Sequence, residues 1–184
     1  MQKNDHRIKL TKMMIRQSFL SLLREKPINK ITIKELCEKA GINRATFYAH
    51  YEDIYALMDE TKNELAESIL HAVHEISSTA LLSDFYAEIC RTISEHRDSC
   101  EAIFGKYGDA DFAVAVVELA RGQCLALWRQ TGAAKEDDLE MLYTFVSYGS
   151  IAVIRSWVQS GMQQPPEVIA GFIERSTKWY QNNI

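Results

Sequence analysis

Residues Ile31 to Leu57 read ITIKELCEKAGINRATFYAHYEDIYAL, and the spacing predicts two short helices joined by a tight turn, with a third entered at once. Thr32-x-x-Glu35 has the form of a capping box, in which the hydroxyl and the carboxylate each satisfy an orphan backbone N–H. Leu36 and Ala40 give the helix that follows an apolar face. Gly41 stands where a helix-turn-helix needs a left-handed backbone, which glycine adopts without steric cost. Asn43 is a good N-cap for the next helix, which carries Arg44, Thr46, Tyr48 and His50 among Ala45 and Phe47. A short, donor-rich helix propped on a buried partner has the shape that fits the major groove of DNA.

On the N-terminal side, Ile8 to Glu25 predicts a helix with Leu10, Met14, Ile15, Ser18, Phe19, Leu22 and Leu23 on its buried face, ended by Pro27. On the C-terminal side a long helix runs from about Asp53 to Ile76. Its start holds the apolar Ile54, Leu57 and Met58, and its later part is charged (Glu60, Lys62, Glu64, Glu67), as in a helix partly in water. Past Ser77-Ser78, Ser83-Asp84 opens a helix with Phe85, Ile89, Cys90 and Ile93 inward, and a short helical piece covers about Ser99 to Phe104. Asp109 begins a helix that ends at Thr131-Gly132. Lys135 to Asp138 opens the next, with three acidic residues at the positive end of the helix dipole, and it ends at Gly161. Pro165-Pro166-Glu167 begins the last, which carries Val168, Ile169, Phe172, Ile173, Trp179 and Tyr180. No stretch reads as a strand for long. The expected fold class is all-α, roughly nine helices in two domains: a helix-turn-helix domain over residues 1–53 and a helical regulatory and dimerisation domain over 54–184.

A chain of 184 residues can bury two small cores. Its net charge of −4 conceals a split: residues 1–53 carry 11 Lys and Arg against 6 Asp and Glu, a net of +5, and the remainder carries 10 against 19, a net of −9. A basic head on an acidic body suits a protein that presents one end to phosphates. No run of about 18 uncharged apolar residues predicts a membrane span. The opening MQKNDHRIKLTK has no apolar signal core, so a cytoplasmic location is expected. Cys37, Cys90, Cys100 and Cys124 lack C-x-x-C spacing and read as buried thiols on helix faces. Glu67, His71, His74 and Glu75 fall near one helix face, a pattern that can bind zinc or nickel, but solvated side chains are the simpler reading. No metal site and no cofactor is expected. The absence of a nucleophile–base pair or a phosphate-cradling glycine loop argues against an enzyme.

From about Lys9 to Met58 the chain resembles the DNA-binding domain of the TetR family of bacterial transcriptional regulators. The likeness is carried by Phe19, Leu23, Ile31-Thr32-Ile33, Leu36, Ala40-Gly41-Ile42, Thr46-Phe47-Tyr48, His50-Tyr51 and Ala56-Leu57. The resemblance implies a DNA-facing set of Thr32, Lys34, Asn43, Arg44, Ala45, Thr46, Tyr48 and His50. Within it Arg44, Ala45 and Thr46 would meet base edges. Arg44 pairing with guanine O6 and N7 would supply about 1–3 kcal/mol of discrimination. The methyls of Ala45 and Thr46 would meet thymine methyls. Tyr48 and His50 match positions that contact phosphates or brace the helix. Thr32 and Lys34 would meet the backbone. Phe47 and Tyr51 read as core. The family often carries lysine where Ile54 stands, so phosphate affinity is expected to lean on Lys9, Lys12, Lys30 and Lys34.

The helix from Leu139 to Ser160 is apolar on nearly every side, so in a chain this short one side is expected to face another subunit. The resemblance implies a four-helix dimer interface made by the last two helices of each protomer, and Phe145, Gly149, Ala152, Val153, Trp157, Phe172 and Ile173 are the expected contacts. Two-fold symmetry would then face a pseudo-palindromic operator in double-stranded DNA. The resemblance also implies an effector cavity in the body, for which Tyr86, Phe104, Phe112, Trp128, Tyr143 and Tyr148 are the candidates, although each aromatic taken singly also reads as core. The expected function is a homodimeric repressor released by an unknown small-molecule effector. The short body is similar to those of regulators from low-GC Gram-positive bacteria, which leaves open a body that binds a partner protein instead. No membrane partner is expected.

Overall fold

The computed structural model describes residues 2–75, 82–131 and 135–181, and the regular structure in them is helical throughout. The elements are α1 (Gln2–Glu25), a 3-10 turn (Ile28–Lys30), α2 (Ile33–Ala40), α3 (Arg44–Tyr48), α4 (Ile54–Glu75), α5 (Leu82–Glu95), α6 (Arg97–Ile103), α7 (Phe112–Thr131), α8 (Glu136–Gln159) and α9 (Pro166–Gln181). The expected boundary at Ser77-Ser78, Gly132, and the side chains of Ser83, Trp179 and Tyr180 lie outside the described residues; α5 starts at Leu82, so Ser83 lies within it instead of capping it, and α7 ends at Thr131.

The chain forms two compact units. The first is Met1–Leu65 with Asp98–Ala110, the second Ala66–Arg97 with Asp111–Ile184. The first unit therefore extends past the boundary expected at residue 53, because the opening turns of α4 are part of its core. Ile54, Leu57, Met58, Thr61 and Leu65 are buried there with Ile15, Phe19, Leu22, Leu23, Leu36 and Phe47. The unit also takes in most of α6, which no local sequence signal announces. Arg24 on α1 reaches Asp98 at 2.8 Å and Glu101 at 3.2 Å, and Lys62 on α4 holds Asp109 at 3.1 Å.

Two expectations for α1 fail. Leu10 and Met14 are 45% and 37% exposed instead of buried. Side chains turn about 100° per residue along a helix. Among the described residues of α1 the buried side chains begin at Ile15, so its first turns add none to the core. The stripe that reaches the core is Ile15, Ser18, Phe19, Leu22 and Leu23, joined by Leu20.

In the second unit α5 runs along α9, α7 packs on α8, and α8 on α9. Its core holds Tyr86, Cys90, Ile93, Leu125, Trp128, Leu139, Leu142, Trp157, Val158, Ile169 and Ile173. α8 stops at Gly161 as expected: φ is +78° there, and the N–H groups of Gly161 and Met162 return to the carbonyls of Val158 and Trp157. All four cysteines are free and buried. Burial raises the Cys90 and Cys100 thiols to about 12 and Cys124 to about 11, so they stay protonated and inert near neutral pH.

Candidate DNA-reading surface

The helix-turn-helix forms from its own local chemistry. Thr32 caps α2, its Oγ1 accepting from the Glu35 N–H at 3.2 Å. The other half of the expected capping box is redirected, because both Glu35 oxygens accept from Lys26 Nζ at 2.6 and 2.7 Å. Gly41 closes α2 with φ +67° and its N–H on the Cys37 and Glu38 carbonyls. Asn43 caps α3: its Oδ1 accepts from the Thr46 N–H at 2.7 Å and from the Thr46 hydroxyl at 3.0 Å.

α3 ends at Tyr48, so His50 lies in the turn beyond the helix instead of on it. Phe47 is fully buried and Tyr51 is 4% exposed, and their rings meet at 5.7 Å. These two anchors leave Asn43, Arg44, Ala45 and Tyr48 exposed and Thr46 and His50 half-buried. Thr32 and Lys34 at the start of α2 are exposed as well. The residues expected from sequence to face DNA thus lie on two short helices of one unit and at their flanking caps and turn, with α2 packed against both α1 and α3.

The unit is also held by a charged network. Glu60 on α4 accepts from the Tyr51 hydroxyl at 2.9 Å and from Lys12 at 3.0 Å, with Arg16 at 3.7 Å. Arg16 also pairs with Glu64, and the Lys12 ammonium lies 5.4 Å from the Tyr51 ring centroid. Burial by itself would raise the Glu60 carboxyl, but the Lys12 and Tyr51 hydrogen bonds and the Lys12 and Arg16 charges outweigh it and hold it below its ordinary 4.5. Burial and the bond to Glu60 push the Tyr51 phenol up. Lys12 is therefore engaged inside the unit and is not the free phosphate contact the sequence suggested. Lys9, Lys30 and Lys34 are exposed, the last with Glu38 one turn away at 3.8 Å.

Residues 20–61 match the family described as bacterial regulatory proteins, tetR family, and residues 82–178 match the family described as transcriptional regulator C-terminal region. The chain belongs to the TetR family of transcriptional regulators. A curated relative, the HTH-type transcriptional regulator YxbF of Bacillus subtilis (strain 168), is 30% identical over 64 residues, which are 35% of this chain and 17% of that protein. A TetR transcriptional regulator from Streptococcus agalactiae 2603V has a similar solved structure, with a TM-score of 0.65 at 21% identity, covering 96% of this chain and 98% of that one. The dihydroxyacetone kinase operon activator DhaS is similar with a TM-score of 0.63 at 15% identity, covering 95% and 97%. At these identities the structural likenesses establish the fold. As a TetR-family member the chain is a DNA-binding regulator and not an enzyme. Among the described residues no helix is long and apolar enough to cross a membrane.

The body of this TetR-family protein places the other candidate residues less simply. Between α8 and α9 an open groove of about 270 Å³ is lined by Phe145, Gly149, Val153, Phe172 and Ile173, with Ser176 and Thr177. Five of the seven expected interface residues thus line one groove, in which Phe145 and Phe172 are 55% and 51% exposed while Ile173, at 3%, is core within the protomer. Ala152 is exposed. Trp157 departs from the expectation. It is 2% exposed, and its indole N–H donates to the Gln164 carbonyl at 2.9 Å, closing the turn into α9. Being core within the protomer, it cannot anchor a second one.

The six aromatics named for an effector cavity are divided between the two units. Phe104 belongs to the first unit and the other five to the second. Tyr86 is buried with its hydroxyl 3.2 Å from that of Thr177, and burial raises it to about 12. Tyr143 donates to the Val117 carbonyl at 2.7 Å, and its ring meets Trp128 edge-on at 5.9 Å. Phe112 is 6% exposed, whereas Tyr148 is 44% exposed. One further cleft in the second unit, of about 170 Å³, is lined by Val73, Phe85, Gln123, Cys124, Ala126, Leu127 and Gln130. A polar–apolar mixture of small and medium side chains marks it, a signal too common in sequence to single out.

On α4, His71 has Glu75 at 3.9 Å and His74 Nδ1 lies 3.3 Å from Gln123. Among the described residues no group of three or more His, Cys, Asp or Glu side chains is placed to hold a metal ion.

Proposed function

We propose that the protein is a homodimeric repressor that reads a pseudo-palindromic operator through α3 of each protomer and is released by a small-molecule effector. The observation that carries the reading is the α3 surface itself: Arg44, Ala45, Thr46 and Tyr48 lie on a helix fixed from behind by Phe47 and capped by Asn43. A pre-organised donor-bearing helix loses little freedom on entering the groove. The α8–α9 groove supports the dimer, since half-exposed phenylalanines beside Gly149 and Ala152 let a second pair of helices approach closely.

Selection of bound duplexes from a random pool, at stated salt, tests the reading with the wild type and Arg44→Ala in parallel. A two-fold-symmetric motif that loses one base preference per half-site in the variant supports it. A uniform loss on every sequence contradicts base readout by Arg44.

One observation favours a second reading, in which the body binds a partner protein. Tyr86 and Tyr143, two of the aromatics named for a cavity, are hydrogen-bonded within the protomer, and the cleft beside Val73 and Phe85, of about 170 Å³, is smaller than the roughly 300–1,000 Å³ usual for organic ligands. Retention of operator binding in the presence of a broad panel of small apolar and amphipathic compounds, none of which raises the melting temperature, would move the reading to the partner protein.

A further inference from the structure

The opening turn of α3 has a hydrogen-bond polarity that can be worked out atom by atom. The Thr46 backbone N–H can only donate, and it lies 2.7 Å from Asn43 Oδ1. The Asn43 amide is thereby fixed with its oxygen toward Thr46. The Thr46 hydroxyl lies 3.0 Å from the same oxygen, and a carbonyl oxygen cannot donate. The single hydroxyl hydrogen of Thr46 is therefore committed to Asn43. What Thr46 retains is acceptor lone pairs and a methyl group. Arg44, two residues earlier, is exposed and has donors alone.

In the major groove guanine N7 and O6 and thymine O4 are acceptors, whereas adenine N6 and cytosine N4 carry hydrogens. Facing an acceptor, Thr46 would meet repulsion or would have to give up its bond to Asn43. We infer that Thr46 is a specificity-determining residue that accepts a hydrogen bond from an exocyclic amino group of the operator, adenine N6 or cytosine N4. The inference rests on the proposed reading of DNA by α3. It divides the labour there: Arg44 selects an acceptor-bearing base and Thr46 an amino-bearing one.

The test is duplex selection with wild type, Thr46→Val and Thr46→Ser. Valine keeps the methyl and the shape but loses the lone pairs, whereas serine keeps the hydroxyl and loses the methyl. The wild type should prefer one base pair at one position of each half-site, serine should keep that preference, and valine should lose it there and nowhere else. An enriched A·T pair identifies adenine N6 as the donor of the amino-bearing base, and an enriched G·C pair identifies cytosine N4. Replacing that base by its analogue without the amino group (purine for adenine, 2-pyrimidinone for cytosine) should weaken wild-type binding roughly 2- to 12-fold, the range of one neutral hydrogen bond. The same replacement should leave Thr46→Val binding unchanged. A motif identical in wild type and Thr46→Val overturns the inference while leaving DNA reading by α3 intact. So does wild-type binding that is unchanged when the amino group of that pair is removed. Failure of the folded wild type to enrich any motif removes the reading by α3 itself, and the inference with it.

Discussion

At Gly41 the backbone takes φ +67° and ψ +30° between α2 and α3. A Cβ added there would meet nothing within 4 Å, so the need for glycine is conformational and not steric. Gly41→Ala should lower stability by about 1–2 kcal/mol, the penalty of a left-handed L-residue, and Gly41→Asn by less, since asparagine tolerates that region. Urea denaturation measures both, and an alanine variant as stable as the wild type would refute the assignment. The residue pattern around Gly41 was legible because each signal acts over three or four positions: Thr32 on Glu35, Asn43 on Thr46. What was not legible was competition from further along the chain. Lys26, nine residues before Glu35, takes the carboxylate that the capping box would have used.

At the scale of elements, α4 is joined to the DNA-reading unit by charge as well as by packing. Glu60 gathers Lys12 and Arg16 from α1 and Tyr51 from the turn after α3. Its carboxyl is held below 4.5 in the folded chain, so its stabilising contribution is fully present above that pH and is lost as the pH falls through the folded value. Glu60→Gln should therefore melt below the wild type at neutral pH, and the gap between the two melting curves should narrow below about pH 4.5. A gap that stays constant with pH would assign the loss to packing alone. α8 offers a parallel case. Trp157 and Phe145 look alike in sequence, but one is 2% exposed and the other 55%. Trp157→Ala should cost about 3–5 kcal/mol of stability by guanidinium unfolding, the range for deleting a buried large aromatic. Survival of full stability would contradict its burial.

For the whole molecule, the division into two compact units falls within α4, between Leu65 and Ala66, and again at Asp98 and Asp111. The chain crosses from one unit to the other at each of these points. In sequence α6 is flanked by α5 and α7 of the second unit but counts with the first, where Arg24 holds Asp98 in its opening turn and Lys62 holds Asp109 in the segment beyond it. The homodimer proposed through the α8–α9 groove makes a prediction that separates it from folding. Phe145→Glu, at an exposed position, should leave the melting temperature of the protomer core nearly unchanged. It should give monomers by sedimentation and abolish the two-fold symmetry of the selected DNA. A Phe145→Glu protein that sediments as a dimer would exclude that groove as the interface.

The sequence by itself determined the all-α class, the order of the helices, the turn at Gly41, the caps at Thr32 and Asn43 and the polar character of α3. These features rest on interactions within a few residues or on helical periodicity, and both are written locally. Only the tertiary structure decided which apolar side chains are covered, because burial depends on what other elements bring. It moved Leu10 and Met14 out of the core and Trp157 into it, and it paired Lys12, one of the lysines expected to lend phosphate affinity, with Glu60, 48 residues on. It also assigned Phe104 to a different unit from the other aromatics. Periodicity states that a helix has an apolar side; the neighbour that covers it, or leaves it open, is a property of the packed chain.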